Sequence, residues 1–419
     1  MIQEFSVQNF LSFKEKQTIS FVATSDKTLV DELVVEPKPG VKLLRMALIY
    51  GANASGKSNL LHAIQTLWKM LFIAQDKEHK EVEIYRPFEL TKSEPTNFEI
   101  TFWANGRKYQ YELVYDKHSI LYEKMSYTTD NDVLSLMYER KKGLPIVFGG
   151  TLRVKAKQRD SFNNDTLNNH TVLSTLNKKN IDAPIAIIEL YNWIKSNIHE
   201  MDIHNDGVKI VEQSESDPSL KKLILELLNK ADFNISDFSM VEVSVPEEIA
   251  EEIRNDSDLS DIAKERFLKP RKQILFSHAT ENDSFQISFG MESSGTRVYF
   301  RLARLLYELK SNGCIIMEDE IEDSLHYDLL IHYLQTYLQF PNQSQLIVAT
   351  HNQLLLDEDW MIRRDMVWFI EKDRKTSSST LYRASGMGIH KNVSLMNAYK
   401  IGKLGAKPIL GSTLLSFEE

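Results

Sequence analysis

Gly51-Ala-Asn-Ala-Ser-Gly-Lys-Ser58 is the most informative stretch of this sequence. It matches the pattern G-x-x-x-x-G-K-[ST], in which glycines let successive backbone N–H groups surround the phosphates of a nucleotide. A short apolar run precedes it at 43–50, and apolar side chains recur at helical spacing over 60–71. Because strand, glycine loop and helix are the context that this pattern requires, the sequence predicts a phosphate-binding loop.

The residues of this loop have separate expected roles. The Lys57 ammonium should reach the β- and γ-phosphates, and the Ser58 hydroxyl should hold Mg²⁺. The start of the following helix adds the positive end of its dipole at the same place. The predicted nucleotide-binding residues of the loop are Gly51, Asn53, Ala54, Ser55, Gly56, Lys57, Ser58 and Asn59.

Length and composition indicate a globular protein with more than one domain. The chain has 419 residues, of which 42% are hydrophobic. Its net charge of −9 argues against an unspecific nucleic-acid coat but leaves a local basic face open. The single cysteine, Cys314, excludes a disulfide framework. With no signal-like start and no membrane-spanning apolar run, we expect a cytoplasmic protein that does not enter a membrane.

The chain divides into three predicted regions. Residues 1–130 are expected to form a β-rich N-terminal lobe around the loop, including a hairpin over 98–114 that turns at Asn105-Gly106. Residues 131–272 carry helical patterns and are expected to form an inserted, mainly helical subdomain. Residues 273–419 alternate strands with helices, which is typical of a mostly parallel sheet, so the predicted fold class is α/β.

Charge is segregated in the middle region. Glu247, Glu248, Glu251 and Glu252 load one predicted helix with acid. The simpler interpretation is that these are solvated faces of a helical subdomain, and the alternative is a surface for DNA, RNA or a protein partner. The basic residues form two clusters, namely Arg140, Lys141, Lys142, Arg153, Lys155, Lys157 and Arg159, and then Lys264, Arg266, Lys269, Arg271 and Lys272.

Two apolar strands of the last region end in polar residues. Residues 315–317 lead into Glu318-Asp319-Glu320, and we expect this strand to lie beside the strand of the phosphate loop. Asp319 is then the candidate Mg²⁺ ligand, directly or through water, and Glu320 the candidate catalytic residue that orients or deprotonates the attacking water. Residues 346–349 lead into His351, the second catalytic candidate, which could sense a γ-phosphate.

A second helix start offers another site for phosphate. Glu292-Ser-Ser-Gly-Thr-Arg297 opens a strongly apolar helix, so Ser293 and Gly295 are predicted to bind an anion there. One nucleotide does not need two phosphate-binding helix starts from one chain. The simplest interpretation is that Ser293 and Gly295 contact the nucleotide of another subunit.

The order of these motifs resembles that of ABC-type ATPase heads. The opening Phe5-Ser-Val-Gln-Asn-Phe-Leu-Ser-Phe13 is similar to the start of RecF, SMC and OLD-type heads. More closely, the chain resembles the AAA-15-like ATP-binding proteins of bacterial anti-phage and abortive-infection operons, of the PARIS and AbiL kinds. The resemblance fades across 130–272 and rests on residues 293–296, 319–320, 323–326, 350–352, 368–372 and 399–408.

The resemblance implies a P-loop NTPase of the ABC-ATPase head type that uses ATP and forms an ATP-driven head-to-head homodimer, or a higher assembly of dimers. In its terms, the loop is the Walker A motif, Asp319-Glu320 the Walker B motif and His351 the His switch. These would face the signature residues Ser293 and Gly295 of the other subunit, with Asp323 in the loop that crosses between the sites. The implied role is a sensor or scaffold ATPase in anti-phage defence, with a separate nuclease-like effector protein as partner.

Three departures from the family pattern and two alternative functions stay open. The signature reads Glu-Ser-Ser-Gly-Thr rather than Leu-Ser-Gly-Gly-Gln, the usual Mg²⁺-sensing glutamine has no identified position, and no base-specific contact distinguishes ATP from GTP. A RecF-like DNA-binding repair ATPase would place the two basic clusters on one face. A phosphotransferase acting on a small substrate would leave the signature and His351 without a purpose.

Overall fold

The computed structural model describes residues 1–72, 81–82, 84–178, 181–198, 207–311, 313–390 and 392–408. The chain forms two compact units. The first comprises Met1–Met201, Asn312–Ile321 and Leu338–Glu419, and the second comprises Asp202–Ser311 and Glu322–Tyr337. The first unit therefore continues beyond residue 130, where the sequence analysis ends the N-terminal lobe. Among the described residues, none of the helices combines the length and apolar character that crossing a bilayer requires.

The strands are β1 (Ile2–Gln8), β2 (Gln17–Ser20), β3 (Val34–Lys38), β4 (Val41–Leu44), β5 (Met46–Tyr50), β6 (Thr96–Ala104), β7 (Arg107–Tyr115), β8 (Ile120–Thr128), β9 (Leu134–Lys141), β10 (Val147–Phe148), β11 (Ile235–Val243), β12 (Arg271–Ala279), β13 (Ser284–Ser288), β14 (Ile315–Glu318), β15 (Gln345–Ala349), β16 (Val367–Lys372) and β17 (Ser379–Arg383). The helices are α1 (Val30–Leu33), α2 (Lys57–Phe72), α3 (Ala156–Asp165), α4 (Val172–Lys178), α5 (Ile185–Asn197), α6 (Gly207–Ser216), α7 (Pro218–Lys230), α8 (Glu247–Asn255), α9 (Asp261–Leu268), α10 (Ser294–Ser311), α11 (Tyr327–Leu338) and α12 (Leu395–Lys400).

An antiparallel sheet of seven strands forms the β-rich part of the first unit, in the order β10-β9-β8-β7-β6-β1-β2. The predicted hairpin is confirmed as β6 and β7, whose turn residues Asn105 and Gly106 both have positive φ, at 49° and 73°. Positive φ at both turn positions matches the twist of the flanking strands. Strands β9 and β10 lie in the stretch 131–272, which was expected to be mainly helical. This segment is extended because β9 pairs with β8 and buries Met137 and Tyr138.

The second sheet of this unit contains the strand of the phosphate loop. Its order is β14-β15-β5-β16-β17, and all neighbours are parallel except β16 and β17. The expectation that the acidic strand β14 lies beside β5 is wrong, because β15 lies between them. Leu346 of β15 pairs with Ile316 of β14 on one side and with Met46 of β5 on the other. The parallel sheet thus takes its central strand from the N-terminal region.

The second unit combines helices with a small antiparallel sheet. Its strand order is β11-β12-β13, so residues 271–288 do not join the parallel sheet that the sequence analysis assigned to 273–419. Phe276 of β12 packs against Phe238 of β11 and Phe300 of α10, with ring centroids 6.2 and 5.0 Å away. This aromatic core fixes α10 on the sheet, and α6 and α7 pack against α10 as well.

Candidate nucleotide-binding site

The phosphate loop joins a fully buried strand to a buried helix start. All five residues of β5 are buried, and the loop enters α2 at Lys57. Gly56 has φ +115°, a conformation that side chains rarely adopt. A Cβ at Gly56 would lie 2.6 Å from the Oγ of Ser379 and 2.7 Å from the Oγ of Ser12. Both backbone conformation and close packing therefore require glycine at this position.

Two serines support the loop from behind, and the sequence analysis assigned a role to neither. Ser379 Oγ donates to the carbonyl oxygen of Ser55 at 2.5 Å, and Asn59 Nδ2 donates to Ser12 Oγ at 2.8 Å. The backbone N–H of Ser379 donates to the carbonyl oxygen of Ser12 at 2.7 Å. Ser12 lies in the opening stretch that resembles other ATPase heads, whereas Ser379 had no signal in the sequence.

Lys57 is held at the mouth of the loop. Its side chain is buried, and Nζ donates to the carbonyl oxygens of Gly51 at 3.1 Å and Ala52 at 3.4 Å. The same Nζ lies 3.0 Å from His351 Nε2. An ammonium can only donate, so a hydrogen bond between these two atoms requires the ring nitrogen of His351 to accept. Lys57 is thereby oriented by loop carbonyls and by the end of the neighbouring strand.

Glu320 and His351 meet at the carboxyl end of the sheet. Glu320 Oε1 lies 3.4 Å from His351 Nε2, and the Glu320 side chain is 59% exposed. Glu320 has φ 51°, in the left-handed region, where the chain leaves β14. Three predicted site residues, Lys57, Glu320 and His351, therefore form one contiguous group.

Asp319 has the character of a metal ligand. Its Oδ1 atom is buried and has no hydrogen-bond partner among the residues that the structure describes. A buried carboxylate oxygen without a partner is costly unless a ligand or water satisfies it. Mg²⁺ prefers oxygen ligands of this kind, and Ser58 on the first turn of α2 offers a hydroxyl. The donor set fits the predicted ion.

An open cavity of about 340 Å³ lies beside the loop, within the first unit. The loop contributes residues 52–55 to its wall, β16 and the following turn contribute 370–374 and Ser377, and the remaining wall is 406–408. The last segment belongs to the stretch 399–408 on which the family resemblance partly rests. Asn53 and Ala54 of the loop therefore line the same cavity as residues 406–408.

Ser293 and Gly295, predicted as signature residues, lie in the second unit at the start of α10. Ser293 is exposed, and its Oγ accepts from the N–H of Thr296 at 3.0 Å, so it caps the helix. A Cβ at Gly295 would lie 2.9 Å from the carbonyl oxygen of Ser324. Glu292, one residue before the cap, contacts His278 Nε2 at 2.7 Å with both side chains mostly buried. The Glu that replaces the usual Leu is thus held by a histidine.

The first basic cluster is smaller on the surface than its sequence indicates. Arg140 is buried and donates to the carbonyl oxygens of His170 at 2.5 Å and Leu167 at 2.8 Å. It also lies 4.0 Å from the fully buried Glu123. The prediction that Arg140 belongs to a basic surface is therefore wrong, because its side chain has an internal structural role. The other six members of its cluster are exposed.

Comparisons with known proteins place the chain in a family. The family model described as "AAA domain, putative AbiEii toxin, Type IV TA system" matches residues 46–357. The comparison with curated proteins gives no match. Among solved structures, the chain is similar to the SmcHead bound to the C-winged helix domain of ScpA, with 14% identity, a TM-score of 0.44, and coverage of 95% of this chain and 99% of that chain. It is also similar to the SMC head domain from Thermotoga maritima, with 15% identity, a TM-score of 0.38, and coverage of 91% and 98%. Since the family match spans most of the sequence, including the phosphate loop and His351, the chain belongs to this AAA-domain family of P-loop ATPases.

Proposed function

We propose that the protein binds and hydrolyses ATP at a site completed by a second subunit. The observation that carries this proposal is the group formed by Lys57, His351 and Glu320, with contacts of 3.0 and 3.4 Å, at the end of one parallel sheet. Lys57, a buried lysine of the glycine loop, can bind phosphate, and the exposed carboxylate of Glu320 can act as a base near that phosphate.

The residues have distinct roles in the proposed hydrolysis. Lys57 and the loop N–H groups bind the β- and γ-phosphates, while Ser58 and Asp319 would hold Mg²⁺, which supplies charge neutralisation between those phosphates when bound. Glu320 orients a water molecule, whose oxygen attacks the γ-phosphorus. The Glu320 carboxylate accepts the proton that this water loses. The bond to the ADP oxygen breaks, giving ADP and phosphate. His351 contacts both Lys57 and Glu320 and orients these two side chains toward the γ-phosphate.

The signature supports a head-to-head homodimer. Ser293 and Gly295 stand at the start of α10, which has 18 residues, with exposed or half-exposed positions where a phosphate of another subunit could be bound. ATP would then hold two subunits together, and loss of the γ-phosphate would release them. Two weak anion contacts per site predict a dimer that depends on nucleotide.

The biological role proposed for this ATPase is that of a sensor or scaffold in bacterial anti-phage defence. Its support is the motif resemblance to ATP-binding proteins of abortive-infection operons and the family description, which names an AbiEii toxin and a type IV toxin–antitoxin system. The partner in this proposal is a separate effector protein of the nuclease kind.

The proposal is tested with Glu320→Gln, which should bind ATP without hydrolysing it. Light scattering should show a mass that doubles with Mg-ATP and stays at the smaller value without nucleotide. The matched control is Glu320→Gln combined with Ser293→Arg, which should bind ATP but keep the smaller mass. A mass indifferent to ATP, in a protein with bound nucleotide, would rule out the nucleotide-gated dimer, and absence of phosphate release by the unmodified protein would rule out the hydrolase.

A further inference from the structure

The hairpin of α8 and α9 has almost no core of its own. It lies between β11 and β12 in the sequence of the second unit, and of residues 247–268 only Ala250 is buried. Ile262 is 80% exposed, Ile249 49% and Phe267 42%. Three large apolar side chains on one small projection are the composition of a surface that another protein covers.

The hairpin and Arg271, the first residue of β12, carry opposite charges that do not neutralise each other. Glu248 and Glu252 on α8 are exposed and form no ion pair with any described residue, and neither do the exposed Arg266 and Arg271. Glu247 differs, since it contacts Arg254 at 2.6 Å. Unpaired charges of both signs on one surface are complementary to a second copy of that surface.

Each helix of the hairpin also has apolar side chains beside its charged ones. An open groove of about 690 Å³ is lined by the apolar side chains of Ile262 and Phe267 and by the guanidinium-bearing Arg266 and Arg271. On α8, Glu252 is three residues after Ile249 and so lies on the same face, with Glu248 adjacent. An apolar side chain flanked by carboxylates therefore lies exposed on α8. An apolar groove lies on α9, beside the guanidinium groups of Arg266 on α9 and of Arg271 at the start of β12.

We propose that this hairpin is a self-association surface, in which α8 of one copy enters the α9 groove of a second copy and the reverse contact is made at the same time. A twofold axis requires such self-complementarity, because each copy presents the same patch. The contact involves none of the nucleotide-site residues, so it forms without ATP. Together with an ATP-dependent contact elsewhere on the chain, it would link dimers into larger assemblies.

A nucleic-acid ligand fits this surface less well. Exposed Asp261 and Glu265 interrupt the second basic cluster on α9. The second basic cluster therefore cannot present a continuous positive face. A phosphate backbone would also leave the carboxylates of α8 without cationic partners, whereas a second copy supplies Arg266 and Arg271. The observations favour a partner that brings carboxylates and an apolar side chain, as α8 does.

The test measures self-association of the nucleotide-free full chain by sedimentation at about 50 mM salt, where exposed charges interact most strongly. Glu248→Lys with Glu252→Lys, or Arg266→Glu with Arg271→Glu, should each weaken association about tenfold or more. Mixing the two variants should restore association as a heterodimer, because the reversed charges meet again. Lys222→Glu with Lys230→Glu on α7 is the control for net charge, since both lysines are exposed and lie outside the hairpin.

Each of the following results would overturn the proposal. One is a protein that remains the smaller species at every concentration and salt tested. Another is a mixture of the two variants that does not associate, or a control that weakens association as much as the arginine reversals. The last is association unaffected by any reversal together with duplex DNA binding that Arg266→Glu with Arg271→Glu abolishes, which would assign the surface to nucleic acid.

Discussion

Gly56 is the residue at which backbone conformation, packing and ligand binding coincide. It has φ +115°, and a Cβ there would come within 2.7 Å of two serine hydroxyls that support the loop. We expect Gly56→Ala to shift the loop N–H groups, to abolish binding of a fluorescent ATP analogue and to lower the free energy of unfolding by about 1–3 kcal/mol. Titration of the analogue and urea unfolding measure the two effects.

The matched control for this change is Gly106→Ala in the β6–β7 turn. Gly106 has φ +73°, but a Cβ there meets nothing within 4 Å. The control therefore adds backbone strain without a clash, and its analogue binding should equal that of the unmodified chain. Unchanged binding by Gly56→Ala would show that the loop accommodates a side chain and that its glycine is not required.

Some residues of the site could be identified from the sequence, and others could not. Lys57, Glu320 and His351 could be placed at one site because each follows an apolar strand, and parallel strands end at a common edge. Ser379 could not, because its contact with Ser55 joins residues 324 positions apart and no local pattern marks it. Arg140 was assigned to the surface by its charge, whereas backbone carbonyls satisfy it inside.

The presence of a strand could be predicted from the sequence more readily than its position in the sheet. The alternation around Asn105-Gly106 predicted two strands, which are present as β6 and β7. The apolar run at 43–50 predicted one strand, and its residues 46–50 form β5. The position of β15 between β5 and β14 was not predictable, because strand order follows from how the connecting helices pack. Strand β11 was also missed, since its core face appears only when β12 pairs with it.

Strand β16 is preceded by a buried ion pair that joins distant segments. Asp365 accepts from Arg363 Nη2 at 2.7 Å and from both the N–H and the hydroxyl of Thr24 at 2.8 Å. Burial alone would raise the pKa of the Asp365 carboxyl, but these hydrogen bonds outweigh it and hold the pKa below its ordinary value. The pair fixes the loop at residue 24 to the edge of the parallel sheet.

We expect Asp365→Asn to lower the free energy of unfolding by about 3 kcal/mol at pH 7, because Arg363 then keeps a buried charge without its counter-ion. A carboxyl with a depressed pKa stabilises the fold above its unfolded pKa and loses that effect as the pH falls through the folded pKa. The deficit should therefore narrow below about pH 4. Urea unfolding at several pH values measures it, with the exposed Asp130→Asn as a control expected to cost less than about 1 kcal/mol. A pH-independent deficit would contradict the assignment.

The whole molecule divides the proposed ATPase motifs between its two compact units. The phosphate loop, Asp319, Glu320 and His351 belong to the first, and the signature start of α10 belongs to the second. If the signature acts on the nucleotide of another subunit, a defect in either motif should inactivate a homodimer at both sites. A mixed dimer of two different defects keeps one intact combination.

We therefore expect Lys57→Ala and Ser293→Arg each to be inactive in phosphate release and an equimolar mixture of them to recover activity. Each mixed dimer has one intact site of two. If the sites act independently, about a quarter of the unmodified activity should return when subunits pair at random, and up to about a half when only mixed pairs are held together by an intact ATP site. Subunit exchange is verified by co-purification of differently tagged variants. Exchange without recovery would mean that Lys57 and Ser293 serve the same chain's nucleotide, and the head-to-head arrangement would then be wrong.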